Sequence, residues 1–290
     1  MLDKYLRAGA IAAEARDLGI RSVKAGGSSL ELVNAIEQLT RDRGAECAFP
    51  VNIGVNEVAA HYTPSKKDDL RFKQGDIVKI DVGAHVDGYP ADTAATVEVG
   101  TTRHSALIQA ANDALRVCVD MAAPGTSVSA IGGAVSRTIR AAGFRPVENL
   151  TGHSMDKFNL HAGLSIPNVD NKDRAVLKEG MIVAIEPFST TGSGKVSGGG
   201  RGQTFRIVRE RSGPPEVEAL LAKIRSKHNS FPFAGRWCES LDSNAQAILQ
   251  KMLRMGIVMS YPVLREVAGG TVAQAEHSII VTHNGCRVIT

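Results

Sequence analysis

The 290-residue chain has no apolar run long enough to span a bilayer, which argues against a helical membrane protein. Its opening stretch, MLDKYLRAGAIAAEARDLGI, mixes charges into apolar positions at helical spacing, so it reads as an amphipathic helix and not as a signal peptide. The expected compartment is the cytoplasm. Cysteine is scarce and scattered: Cys47, Cys118, Cys238 and Cys286 form no Cys-x-x-Cys pair, which argues against both a thiolate zinc site and a disulfide framework. Buried free thiols are expected instead. No basic stripe is present either, because Lys and Arg are interleaved with acids and the net charge is only +4. Such a surface permits a loose, transient association with the ribosome or RNA and does not indicate a specific nucleic-acid partner.

What the chain does contain is an internal repeat. FKQGDIVKID, from Phe72 to Asp81, matches LKEGMIVAIE, from Leu177 to Glu186, with basic, polar and glycine positions in register and an acid closing each. ADTAATV from Ala91 can be laid on AEHSIIV from Ala275, so Asp92 corresponds to Glu276 as Asp81 corresponds to Glu186. Upstream stand two helix patterns, GSSLELVNAIEQLTRDRGAECAFPV from Gly27 and GTSVSAIGGAVSRTIRAAGFRPV from Gly125. Each opens on hydroxyl N-cap candidates and closes on a glycine at the C′ position, Gly44 or Gly143. Ser28 and Glu31 also fit a capping box. Four blocks in the same order predict an α+β fold of two halves related by a pseudo-twofold axis, with the acids facing each other at the centre.

The second copy has its arms far apart, with an insert between them. The insert begins with TTGSGKVSGGGRGQ, in which Lys195 is followed by Val196 and the glycine spacing is not that of a P-loop, so a flexible surface connection is expected. A short strand, TFRIVRE, and two helices, PPEVEALLAKIRSKH and SNAQAILQKMLRMG, follow. They suffice for a small helical subdomain over about residues 192–262, inserted in a catalytic domain that spans 1–290.

The stretch KIDVGAHVDGYPADTAATV, from Lys79 to Val97, reads as a β-hairpin turning at Asp87-Gly88, a dipeptide that favours type I′ turns. That turn places Asp81 opposite Ala94 and Asp92 opposite Gly83, so the two acids are diagonal neighbours on one face, with Cα atoms about 7 to 8 Å apart. Gly83, lacking a side chain, is expected to leave space beside them. Two ionised carboxylates there repel each other, and burying either costs several kcal/mol unless something positive compensates. Lys79 is the one lysine or arginine in the hairpin and lies further from Asp92. A bound cation resolves the conflict, and Glu186 and Glu276 add two more acids from the other half. For a single Asp, a strand-edge or hydrogen-bonded carboxylate is the plainer reading; four acids matched through a repeat favour metal.

Imidazole candidates are His153 in LTGHSM, His161 in FNLHAG and His61 in AAHYTP. His277 has strand parity opposite to Glu276 and should point away, while His85, His104, His228 and His283 are assigned to surface or core. An oxygen-rich set with one or two histidines suits a pair of divalent Mn, Fe, Co or Zn ions. Two such ions about 3.5 to 4 Å apart are equipped for hydrolysis. The residues alone therefore indicate a dinuclear metallohydrolase.

AAHYTP, KIDVGAHVDGYPADTA, GHS followed by NLHAG, AIEPF and QAEHSII together resemble methionine aminopeptidase of type II, in the short form found in archaea. The resemblance runs from about Phe49 to Thr282 and implies the pita-bread fold of that family, with the insert as its helical subdomain. It implies Asp81, Asp92, His153, Glu186 and Glu276 as ligands of two metal ions, Asp92 and Glu276 bridging. By the same resemblance His61 contacts the scissile region and is the residue alkylated by fumagillin-type epoxides. His161 resembles the family's histidine that hydrogen-bonds the substrate carbonyl or scissile amide, and Phe49 and Tyr261 look like walls of the methionine pocket. The implied reaction is removal of the initiator methionine from peptides and nascent chains that have a small second residue, with Glu186 relaying the proton. Two rivals share the fold. Xaa-Pro aminopeptidases and prolidases usually carry a large additional N-terminal domain, and non-catalytic pita-bread binding proteins typically lose metal ligands. Nothing in the sequence calls for an obligate dimer, so a monomer is expected.

Overall fold

A computed structural model describes residues 1–209 and 212–290 of the chain. The expected strand TFRIVRE therefore ends, at Glu210, outside the described residues. In the first half, α1 (Leu2–Ser22) and α2 (Ser29–Asp42) cover an antiparallel sheet whose central strand is Ile77–Val86. That strand pairs with Glu46–Cys47 and Asn52–Val55 on one edge and with Tyr89–Glu98 on the other. In the second half, α3 (Ser105–Met121) and α4 (Val128–Ala141) cover a five-stranded sheet. Its order is Gly285–Val288, His277–Thr282, Ile182–Ile185, Thr151–Met155, Ser165–Pro167.

The apolar spacing of the helices explains this layering. Val128, Ile131, Val135 and Ile139 recur along one face of α4 and share a core with Val183, Ile185, Ile279 and Val281 of the sheet. Leu32, Val33 and Ile36 of α2 share another with Ile53, Val78, Ile80 and Val82. Each half thus opens with two helices and buries one sheet face beneath them, where the repeat marks one helix per half, α2 and α4. The helix α3 has no block in that repeat, because it shares with α1 a place in the architecture and not a string of residues. The caps also differ. Ser28 Oγ accepts the Glu31 N–H at 3.4 Å, whereas the Ser127 hydroxyl donates to the Asp173 carbonyl and makes no cap bond.

The hairpin has the expected register, with Asp81 opposite Ala94 and Gly83 opposite Asp92. Asp87 and Gly88 have φ of 53° and 87°, the left-handed pair that a type I′ turn needs. In the other half, His277 pairs with Ile185 and Gln274 with Phe188, a register that sets Glu276 directly opposite Glu186. The acid pairs are therefore equivalent in the repeat but diagonal in one half and opposed in the other.

Hydroxyl side chains join the halves where the two sheets meet. Ser278 Oγ accepts the Asp92 N–H at 2.8 Å and donates to the Asp92 carbonyl at 2.7 Å. Thr93 and Thr96 donate to the carbonyls of Glu276 and Gln274, and the Glu276 N–H donates to the Ala94 carbonyl at 2.9 Å.

The glycine-rich segment is not the free connection that its composition suggests. Val196–Gly199 pairs with Val263–Glu266, which pairs in turn with Val58–Ala60. The Glu266 carboxylate accepts the backbone N–H groups of Ser193, Gly194, Ala268 and Gly270, so one buried acid ties the start of the segment to the turn that follows Val263–Glu266. Beyond it, the strand Thr204–Ile207 pairs with Phe233–Ala234 and Val258–Ser260. With α5 (Pro215–His228), α6 (Gly235–Cys238) and α7 (Ala245–Arg254) it encloses a separate core built on Phe205, Leu220, Ile224, Phe233, Leu249 and Met252. The one-turn α6 lies between the two expected helices and has no periodic signal of its own. No helix among the described residues is long and apolar enough to cross a membrane.

Candidate metal centre and active site

The acids of both halves converge on one cavity of about 240 Å³. All the expected site residues line it: Asp81, Asp92, His153, Glu186 and Glu276, together with His61, His161, Phe49 and Tyr261. Strand geometry explains the convergence. His153 lies opposite Ala184, two residues before Glu186 and of the same parity, so its ring stands on the face from which Glu186 projects. Its Nε2 is 3.6 Å from Asp92 Oδ2 and 3.8 Å from Glu186 Oε1. One donor atom each from Asp92, His153 and Glu276 lie within 4.8 Å of one another.

Asp92, His153 and Glu276 are buried, and Asp81 and Glu186 half-buried. Asp92 is 4% exposed and Glu276 2%, values at which a carboxylate requires a partner. Yet Asp81 Oδ1, Asp92 Oδ1 and His153 Nδ1 are buried with no hydrogen-bond partner among the described residues. Among the described residues no lysine or arginine lines the cavity. Lys79 is turned away, its Nζ donating to the carbonyls of Asn56 at 2.9 Å and Val272 at 2.7 Å.

The protonation equilibria follow from this crowding. Burial pushes the Asp92 carboxyl up to about 7. Burial, then the charge of Asp92, raises Asp81, Glu186 and Glu276 well above the usual carboxylate range. Desolvation lowers the His153 imidazolium to about 4, leaving a neutral ring with a free lone pair at neutral pH. Raised acids, a neutral imidazole and unpartnered buried oxygens are what a cation would relieve, and the donor set fits one of the first-row divalent ions.

The remaining residues surround this centre. His61 follows the strand Val58–Ala60 in a left-handed conformation, φ 65°, with Nδ1 3.3 Å from the Pro262 carbonyl. Burial lowers its pKa, so the ring is neutral, Nδ1 carries the proton and Nε2 is an acceptor. Its ring centroid is 5.3 Å from that of Tyr261. The His161 ring lies 4.3 Å from His153 and is also held neutral, by desolvation first and then by His153, His61 and Arg206.

The space expected beside Gly83 is filled. The Phe49 ring covers that glycine so closely that a Cβ there would stand 2.2 Å from it. With Leu160 and Phe188 it gives the cavity an apolar wall.

Two amides escape the sequence reading. Asn52 lies directly opposite Asp81 and donates to Asp81 Oδ2 at 3.3 Å, and Gln274 Nε2 donates to Glu276 Oε2 at 3.3 Å. Each is the lone polar side chain in a short apolar strand, NIGV or VAQ, and that interruption was the available signal. The histidines set aside lie elsewhere. His277 Nδ1 is 3.0 Å from Thr290 Oγ1, and His85 stacks on Phe231 and accepts the Gly88 N–H.

Comparison with known proteins identifies the family. The model of metallopeptidase family M24 matches residues 3–283. The chain is 43% identical over 293 aligned residues to a methionine aminopeptidase of Pyrococcus horikoshii, covering 100% of this chain and 99% of that protein. Among solved structures, a thermophilic Arx1 matches with a TM-score of 0.86 at 19% identity, covering 99% of this chain and 90% of that one. A methionine aminopeptidase from Thermotoga maritima matches with a TM-score of 0.71 at 22% identity, covering 99% and 95%. These two likenesses establish the pita-bread fold, and the full-length relative carries the activity. The chain therefore belongs to metallopeptidase family M24, and its activity is metal-dependent removal of N-terminal methionine.

Proposed function

We propose that Asp81, Asp92, His153, Glu186 and Glu276 would hold two divalent ions, drawn from Mn, Fe, Co and Zn. The observation that carries this reading is the meeting of five donors from two repeat halves in one cavity, with buried oxygens left unpartnered. Bound there, the ions supply acidified water and a polarised scissile carbonyl.

The chain's own groups do the rest. Glu186, partly open to the cavity and raised in pKa by burial and by Asp92 and Asp81, takes a proton from the attacking water and returns it to the leaving amine. His161 donates to the substrate carbonyl oxygen and stabilises its developing charge. His61, with Nδ1 engaged by Pro262, offers Nε2 to the scissile N–H. Phe49 and Tyr261 wall the methionine side chain. Crowding of His61, His161 and Tyr261 at the mouth favours a small second residue.

The insert of about 192–262 acts as a subdomain that supplies Thr204, Pro232 and Tyr261 to this cavity. All donors come from one chain, so a monomer suffices. Acting on nascent chains, the protein would work in the cytoplasm, and its mildly basic surface supports transient contact with the ribosome. Xaa-Pro cleavage and a non-catalytic role are not favoured, since the full-length relative is a methionine aminopeptidase and all five donors are in place. The test is methionine release from Met-Ala-Ser. It should require added divalent metal and vanish in Asp81→Asn and Glu186→Gln; full activity in both variants, or cleavage of Xaa-Pro peptides alone, contradicts the reading.

A further inference from the structure

Beside the metal cavity lies a second hollow of about 290 Å³. The two share Leu160, His161, Pro232 and Tyr261, so a chain leaving the first enters the second. One strand reaches from one into the other. Along Thr204–Ile207 side chains alternate, so Thr204 lines the cavity while Arg206, two residues on and on the same face, lines the hollow. The Tyr261 N–H donates to the Thr204 carbonyl at 2.9 Å, which sets Tyr261 diagonal to Arg206. The Arg206 guanidinium carbon stands 6.0 Å from the Tyr261 ring centroid.

Arg206 is exposed, and among the described residues no carboxylate pairs with it and no acid lines the hollow. A guanidinium steadied by an aromatic face and left without an acid is a receptor for a carboxylate.

We propose that this hollow is a subsite for the substrate chain beyond the scissile bond, and that Arg206 selects peptides bearing a carboxylate side chain at the third or fourth residue. The placement follows from length. Thr204 to Arg206 covers two residues of extended chain, about 6.6 Å. A substrate whose second residue sits at the cavity mouth brings its third or fourth to Arg206 over the same span. Lysine or arginine at those positions is disfavoured by the same charge. The proposal rests on the aminopeptidase reading above.

C-terminally amidated Met-Ala-Glu-Glu, Met-Ala-Ser-Ser and Met-Ala-Lys-Lys test it, with metal-loaded wild type and Arg206→Gln. The amide removes the terminal carboxylate that would otherwise compete for the same arginine. In wild type the glutamate peptide should exceed the lysine peptide by about three- to tenfold in kcat/KM at low ionic strength, with the serine peptide between. The gap should shrink as salt is added and close in Arg206→Gln. Equal rates for the three peptides in wild type, a measurement independent of any variant, overturn the subsite, as does an undiminished preference in Arg206→Gln. Release of methionine from none of them contradicts the aminopeptidase reading itself.

Discussion

The Phe49 ring stands where a side chain of Gly83 would be, its Cε1 2.2 Å from the position a Cβ would take. Gly83 faces Asp92 across the hairpin, so the wall of the cavity comes to lie against the acids because one methyl group is missing. Gly83→Ala should displace the ring, destabilise the fold by about 1–3 kcal/mol and lower kcat/KM for methionyl peptides about tenfold or more, with metal content retained. Thermal denaturation, metal analysis and steady-state kinetics check this. Wild-type kinetics in the variant would remove Phe49 from the pocket.

His61 and His161 line the cavity outside the donor set. Substituting either by Ala should leave bound metal unchanged while kcat falls about a hundredfold, the scale for losing one group that stabilises charge at the reacting centre. Loss of metal in either variant would make that histidine a ligand and not a substrate contact.

The one-turn helix α6 ties three parts of the chain together. Arg236 donates to the Glu37 carboxylate on α2, to the Thr63 hydroxyl at 2.8 Å and to the Pro64 carbonyl at 3.0 Å, and the Trp237 indole donates to Glu37 at 2.7 Å. Thr63 and Pro64 follow His61, so the helical unit braces the segment that carries it. Burial pushes the Glu37 carboxyl up and Arg236 opposes that rise. Arg236→Met should cost about 3–5 kcal/mol by leaving a buried acid unpaired, and should also lower kcat. Adding Glu37→Leu should restore part of the stability in denaturant titrations. A double variant no more stable than Arg236→Met would contradict this origin.

Lys79 makes stability depend on pH. Burial lowers its pKa from 10.5 to about 7, and a neutral amine has two N–H groups for its two carbonyl acceptors. Below about pH 7 folded and unfolded chains both carry the proton, and the full cost of the buried charge is present. Above it the unfolded chain alone stays protonated, so stability rises with pH, by up to about 1.4 kcal/mol per unit. Between pH 7 and 9 wild type should therefore gain stability relative to Lys79→Met, as read by denaturant midpoints. Parallel curves for the two proteins would contradict the assignment.

The hairpin was legible because a two-residue turn and period-two side chains leave one register, and Asp81, Gly83 and Asp92 fell into it. The pairing of Asp81 with Glu186 and of Asp92 with Glu276 was legible because the repeat kept the residues beside each acid. What escaped was long-range packing. No string announces that Phe49 lies on Gly83, that Asn52 faces Asp81, or that Glu266 collects the N–H groups of a segment whose glycines read as a flexible connection. Arg236 was invisible for a related reason: its partners lie on α2 and after His61, some 170 to 200 residues away in sequence. The helix α3 was passed over because an amphipathic pattern without a matching string carries no trace of duplication.

The central claim is that five side chains hold two divalent ions on which methionine release depends. Elemental analysis of metal-stripped protein titrated with Mn or Co, with activity followed on Met-Ala-Ser, tests it most directly. Wild type should bind two ions per chain and gain activity as they bind, while Asp81→Asn and Glu186→Gln bind fewer and lose activity by a hundredfold or more, on the order expected for loss of ligand charge at a metal site. Full activity in stripped wild type, or undiminished metal binding in both variants, would contradict it.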